Sequence, residues 1–158
     1  YVGNRAMVVI PAKIRGHRVV RIENQAFGGM LPTLRPQTVI IPETILEIGV
    51  GAFWRCRRLE TVIAHPDIYL IGSQAFGECP RLKTVDFGVM QTRPGVLYVP
   101  PNMKTIGAYA FSTDSWCNPT PFQEVWLSRK TKVQSSLGLG RTFNNRNCAI
   151  YYYEDDRP

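Results

Sequence analysis

The sequence predicts a solenoid: one domain over residues 1–158, made of about five to six stacked coils of short parallel strands. Three observations predict it. Ala-Phe recurs at Ala26-Phe27, Ala52-Phe53, Ala75-Phe76 and Ala110-Phe111, with a degenerate copy at Thr142-Phe143. An aliphatic residue, mostly followed by Gly, stands before each copy: Ile22, Ile48-Gly49, Ile71-Gly72, Ile106-Gly107 and Leu137-Gly138. Further upstream lies a β-branched or apolar run that often ends in Pro: Val8-Val9-Ile10-Pro11, Val39-Ile40-Ile41-Pro42, Val62-Ile63-Ala64, Leu97-Tyr98-Val99-Pro100 and Val125-Trp126-Leu127.

Each part of the unit has a physical role. The Leu-x-x-Val-x-aliphatic segment, as in Leu59 to Ala64 and Leu82 to Phe87, forms one short strand with alternate residues pointing inward. Pro after the strand ends the ladder, because it has no N–H to donate. The Ile-Gly and Ala-Phe segment returns the chain on the opposite side, irregular or in short helical turns. Phe fills the coil interior, and the small Ala lets neighbouring coils approach. Coils then stack about 4.8 Å apart into a curved parallel sheet. The Phe53-to-Phe76 period of 23 residues falls within the range of leucine-rich repeats.

The pattern I-P…I-G-x-x-A-F-x-x-C-x-x-L-x-x-V, carried best by IPETILEIGVGAFWRCRRLETV and IGSQAFGECPRLKTV, resembles the BspA-like leucine-rich-repeat family. The opening YVGNRAMVVIPAKIRGHRVVRIENQAF is similar to that family's first repeat, so the resemblance covers nearly the whole chain. It implies a leucine-rich-repeat solenoid in a bacterial secreted or surface protein. It also implies a role in adhesion and protein–protein interaction, without catalysis, in the cell envelope or outside the cell.

The repeat breaks in three places: near 28–37, 88–96 and 112–121. Between Val85-Asp86-Phe87 and Leu97-Tyr98-Val99 there are only nine residues, GVMQTRPGV, and no Ala-Phe. That is too few to complete a coil, so the ladder is expected to be interrupted or splayed near 88–96. The polar, Pro-containing segment after Phe111 reads as a surface loop.

The candidate site is the outward side of the strands. The outward residues in chain order are Val9, Ile40, Ile63, Asp86, Tyr98, Trp126 and Tyr151, and six of the seven are apolar or aromatic. A sheet facing solvent ordinarily alternates apolar-in and polar-out. An exposed apolar patch of this kind marks a binding surface, and Trp and Tyr are enriched at interface centres. The expected site is therefore Val9, Ile40, Ile63, Val96, Tyr98, Trp126 and Tyr151, with Val96 drawn from the other outward row. The competing expectation is that inserted loops fold over this stripe. Part of it would then line a pocket beside Tyr98 and Trp126 that takes a small hydrophobic ligand. Ala149 to Tyr153 reads as a final edge strand, with Glu154, Asp155 and Asp156 opposing pairing to another chain.

Catalytic and metal chemistry find little support. The chain has two His, and neither His17 nor His65 is tied by spacing to a nucleophile or carboxylate. Four Cys at 56, 79, 117 and 148 fit no zinc pattern. Cys56 and Cys79 share one register position, so stacked buried thiols are expected there. No catalytic residue, metal site or cofactor is expected. The charge is +7, from 19 Lys and Arg against 12 Asp and Glu. The basic residues cluster at Arg55, Arg57, Arg58, Arg81 and Lys83, and again at Arg129, Lys130 and Lys132. They read first as solvated surface, with an acidic glycan as the alternative partner. No nucleic-acid-binding pattern is present. No apolar run approaches the roughly 18 residues of a membrane span. The chain starts at Tyr1 without a signal peptide, which reads as a processed or trimmed form from which any targeting segment has been removed.

Overall fold

The computed structural model describes residues 6–28, 36–112, 121–134 and 148–154. Among them there is no α-helix; the chain winds through fourteen short strands, β1 (Met7–Val9) to β14 (Ala149–Tyr152). The strand face carries β1, β5 (Thr38–Ile40), β7 (Thr61–Ile63) and β9 (Thr84–Asp86) in one parallel sheet. It continues with β10 (Val96–Tyr98), β12 (Glu124–Leu127) and β14 in a second. The opposite side is also a ladder. There β4 (Arg21–Ile22), β6 (Glu47–Ile48), β8 (Leu70–Ile71), β11 (Thr105–Ile106) and β13 (Lys132–Val133) form a five-stranded parallel sheet. β2 (Lys13–Ile14) and β3 (His17–Arg18) make an antiparallel hairpin in the first coil.

A third side closes each coil. The Gly49–Ala52, Gly72–Ala75 and Gly107–Ala110 turns each bond Ala N–H to the carbonyl three residues back, and Glu23–Ala26 does the same. The residue before each Ala has positive φ: Gln25, Gly51, Gln74 and Tyr109. These turns are also bonded coil to coil. Phe27, Phe53 and Phe76 donate to the carbonyls of Ala52, Ala75 and Ala110 at 2.7, 2.8 and 2.8 Å. Those bonds set the Phe spacing, so the rings of Phe27, Phe53, Phe76 and Phe111 stack at 5.1, 5.2 and 5.4 Å within 10° of parallel. Phe122 ends the column edge-on at 5.7 Å.

The sequence assigned close approach to Ala; the structure gives the tightest contacts to Gly. A Cβ on Gly72 would lie 2.6 Å from the Gly49 carbonyl carbon and the Val50 nitrogen. One on Gly107 would lie 2.2 Å from the Ser73 nitrogen. The neighbours are backbone, so no side-chain movement relieves them.

The interruption expected near 88–96 is present, and its form is specific. β8 and β11 are adjacent in the far sheet, and Phe76 bonds directly to Ala110 on the third side. On the strand face, however, β9 stands between β7 and β10. Residues 84–95 are therefore a partial coil inserted on one face only. At the start of these strands contact survives, since Gly95 N–H donates to Lys83 O at 3.0 Å. At their ends it is lost. Ile41, Ala64 and Val99 each donate to the next strand (2.8, 2.7 and 2.8 Å), whereas Phe87, in the same place, makes no such bond. Two sides cross the insertion in single steps while the third fans open. The degenerate copy at Thr142-Phe143 and most of the 28–37 and 112–121 segments lie outside the described residues.

Gly72→Ala should lower the unfolding free energy by about 3 kcal/mol, the upper part of the overpacking range. Phe76→Ala should cost about 3–5 kcal/mol by leaving a cavity in the ring column. Urea denaturation checks both, and a Gly72→Ala midpoint equal to the parent's would contradict the close coil contact.

Candidate functional site

Alternation along the strands turns one side chain in two to the interior. Val8, Val39, Val62, Val85, Leu97 and Val125 are buried, which leaves their neighbours on the outer surface. The register aligns those neighbours across the ladder. Val9, Ile40, Ile63 and Asp86 face one another in the first sheet, and Tyr98, Trp126 and Tyr151 in the second. The expected stripe is thus present as two patches, an aliphatic one and an aromatic one, with Asp86 and the sheet break between them.

The patches differ in exposure. Ile63 is 41 % exposed and Tyr151 42 %. Val9, Ile40, Tyr98 and Trp126 are half-buried. Val96 is placed elsewhere: at 4 % exposure it is buried and presents nothing to a partner. Val85, Phe87 and Leu97, by contrast, belong to the continuous core.

Trp126 is the centre of the aromatic patch. Its ring stacks on Tyr151 at 4.7 Å and 19°, and lies 6.3 Å from Tyr98 and 6.4 Å from Tyr153. Tyr153 was not among the expected site residues. It follows β14 on the same alternation as Tyr151, and its hydroxyl donates to Val99 O at 2.8 Å, tying the last strand to β10. The i, i+2 spacing of Tyr151 and Tyr153 was the available signal. Arg129 caps the neighbouring Tyr152 ring at 4.3 Å. Among the described residues the buried Trp126 indole N–H has no hydrogen-bond partner.

The remaining reactive groups are structural. Buried His65 takes the place of the strand-ending Pro. Its Nε2–H donates to Ile45 O at 2.8 Å and its Nδ1 accepts from Asp67 N–H at 3.3 Å, so both nitrogens are committed. His17 lies apart, exposed on the hairpin. Cys56 and Cys79 stack as their register predicts. Each is a free thiol donating to the Phe carbonyl of the preceding coil, Phe27 O and Phe53 O, both at 3.2 Å. Burial pushes the Cys56 thiol up to about 12 and Cys79 well above the ordinary thiol range. Cys148 is raised to about 11 by burial; Cys117 lies outside the described residues. Among the described residues no group of three or more His, Cys, Asp or Glu is placed to hold a metal ion. No helix among the described residues is long and apolar enough to cross a membrane.

Comparison with known families agrees with this architecture. The BspA type leucine rich repeat region matches residues 10–116 in six copies. The chain belongs to the BspA-type leucine-rich-repeat family. Proteins of this family are repeat modules of the protein-interaction kind. Among solved structures, a leucine-rich-repeat protein of Eubacterium ventriosum is similar over 98 % of this chain and 41 % of its own, at 15 % identity and a TM-score of 0.59. A leucine rich cell surface protein of Faecalibacterium prausnitzii covers 84 % of this chain and 41 % of its own (20 % identity, TM-score 0.49). A T. pallidum leucine-rich-repeat protein covers 78 % and 60 % (22 % identity, TM-score 0.46). The BspA-type chain thus spans between two fifths and three fifths of the length of these neighbours. No curated protein matches it.

Thiol titration gives a direct check. A raised folded-state pKa favours the protonated thiol, so its stabilising effect is whole below the ordinary thiol pKa and fades above it. Stability should therefore fall as pH rises from about 9 toward 12. At pH 8, Cys56 and Cys79 should react with maleimide at least about a hundredfold more slowly than in the unfolded chain, as read by peptide mapping. Fast labelling of Cys79 in the folded protein would contradict the buried stack.

Proposed function

We propose that this module is non-catalytic and binds a protein partner through the outer surface of its strand sheets. The aromatic patch of Tyr98, Trp126 and Tyr151 would be the anchor, and Ile40 and Ile63 the aliphatic flank. The stacked aromatic group on the solvent side of a sheet carries the reading. Aromatic anchors surrounded by less costly contacts are the usual make-up of interface centres.

The ring geometry favours protein over sugar. Trp126 and Tyr151 turn their faces toward each other, so edges and hydroxyls are offered outward rather than a flat ring on which a sugar could lie. A small apolar ligand beside the break is the weaker reading, because Phe87, at the open end of β9, is itself buried in the core. Relatives that include a cell surface protein support a place in the envelope or outside the cell, and host proteins are then natural partners.

Tyr151→Ser and Ile63→Ser test this without disturbing the core. Binding to a panel of extracellular-matrix and host-cell surface proteins should weaken by about tenfold for each, equivalent to about 1.4 kcal/mol. The melting temperature should stay within about 2 °C of the parent, since neither side chain is buried. A partner bound equally well by the parent and both variants would place the interface elsewhere.

A further inference from the structure

The solenoid register stacks arginines as well as hydrophobes. Three residues before their strands, Arg58, Arg81 and Arg93 hold one equivalent position in β7, β9 and β10. Thr61 pairs with Thr84, and the turns leading into these strands are bonded in series. Lys83 N–H donates to Glu60 O at 2.9 Å and Gly95 N–H to Lys83 O at 3.0 Å. This is the side of the insertion where coil contact survives, so the row continues across the break. Arg35 holds the same place by sequence and lies outside the described residues.

Within the row Arg93 is paired with Glu124 at 2.9 Å, and beside it Arg55 pairs with Glu78 at 2.7 Å and Lys83 with Glu60 at 3.6 Å. Arg57, Arg58 and Arg81 are exposed and have no carboxylate within 4.0 Å among the described residues. Like charges are thus brought together at repeat spacing, and their local acids are spent on their neighbours. The guanidinium fork is suited to bidentate capture of sulfate or carboxylate groups.

We infer that the Arg57–Arg58–Arg81 edge, continued by the Glu124-paired Arg93, binds a sulfated linear polysaccharide laid along the solenoid axis. The row has the form of an extended polyanion site, since Arg57, Arg58 and Arg81 are open to solvent without a paired carboxylate among the described residues and the Arg position repeats coil by coil. A nucleic acid fits less well. The adjacent Trp54 ring is covered by the Arg55 guanidinium at 4.1 Å and its N–H donates to Glu78 at 3.3 Å, so it offers no stacking surface for a base. Arg58 and Arg81 precede β7 and β9, whereas the aromatic patch lies on β10, β12 and β14, so their role does not depend on that patch.

Retention on immobilised heparin across a NaCl series tests the inference. Arg58→Gln/Arg81→Gln is compared with Lys13→Gln/Arg18→Gln, which removes the same charge from the exposed hairpin. The Arg58/Arg81 double should lose about tenfold or more in affinity, and the slope of log affinity against log salt should fall by about two. The hairpin double should stay close to the parent, and Tyr151→Ser should bind heparin normally. Equal losses in the two doubles would reduce the effect to net charge and overturn the site. So would failure of the parent to bind at low salt, or equal competition by single-stranded DNA of matched charge.

Discussion

The fold depends on one constraint: backbone touching backbone where Gly49, Gly72 and Gly107 succeed one another. Those contacts leave no room for a side chain, and they bring the third-side turns close enough for each Phe N–H to reach the next Ala carbonyl. Given that spacing, the Phe rings must stack. The strands on the other two sides must then meet in register, and the outward side chains must line up coil by coil. The composition of the outer face is a consequence of this registry rather than of any local motif.

The same constraint explains what the inserted strand does. A segment too short to complete a coil cannot add a Gly contact or a Phe ring, so it can be accommodated only on the face away from them. β9 and its return loop occupy the strand face and leave the other two ladders continuous. The outer surface is thereby divided into an aliphatic patch on one sheet and an aromatic patch on the next. The cationic row survives, because the strands part at their ends and not at their beginnings.

Much of this was legible in the sequence because a repeat reports each rule several times. Ala-Phe at four positions fixes the register, and register then predicts the stacked thiols, the inward Val residues and the outward Tyr98, Trp126 and Tyr151. Nine residues between Phe87 and Leu97 were enough to predict the interruption. The partial coil was not legible, because spacing shows that a coil is incomplete but not which side is skipped. Nor was the burial of Val96, which alternation places on the outward row and which is nevertheless 4 % exposed. The far side was expected to be irregular. Its two-residue strands are too short to have a periodicity, and they form because the turns beside them are already in register. Tyr153 could have been found from its i, i+2 relation to Tyr151 but stands just past the end of its strand.

The central claim is that the turn and far-side ladders run unbroken past an insertion that opens only the strand face. Hydrogen–deuterium exchange of the native protein tests it most directly. The amides of Phe76 and Gly107, bonded across the insertion to Ala110 O and Ile71 O, should be as protected as their counterparts Phe53 and Gly72 in the regular coils. The amide of Phe87, at the open end of β9, should exchange faster than those of Ile41 and Ala64. Loss of protection at Phe76 and Gly107 to the level of the 88–95 loop would mean that the solenoid is broken through all three sides, and would contradict the account.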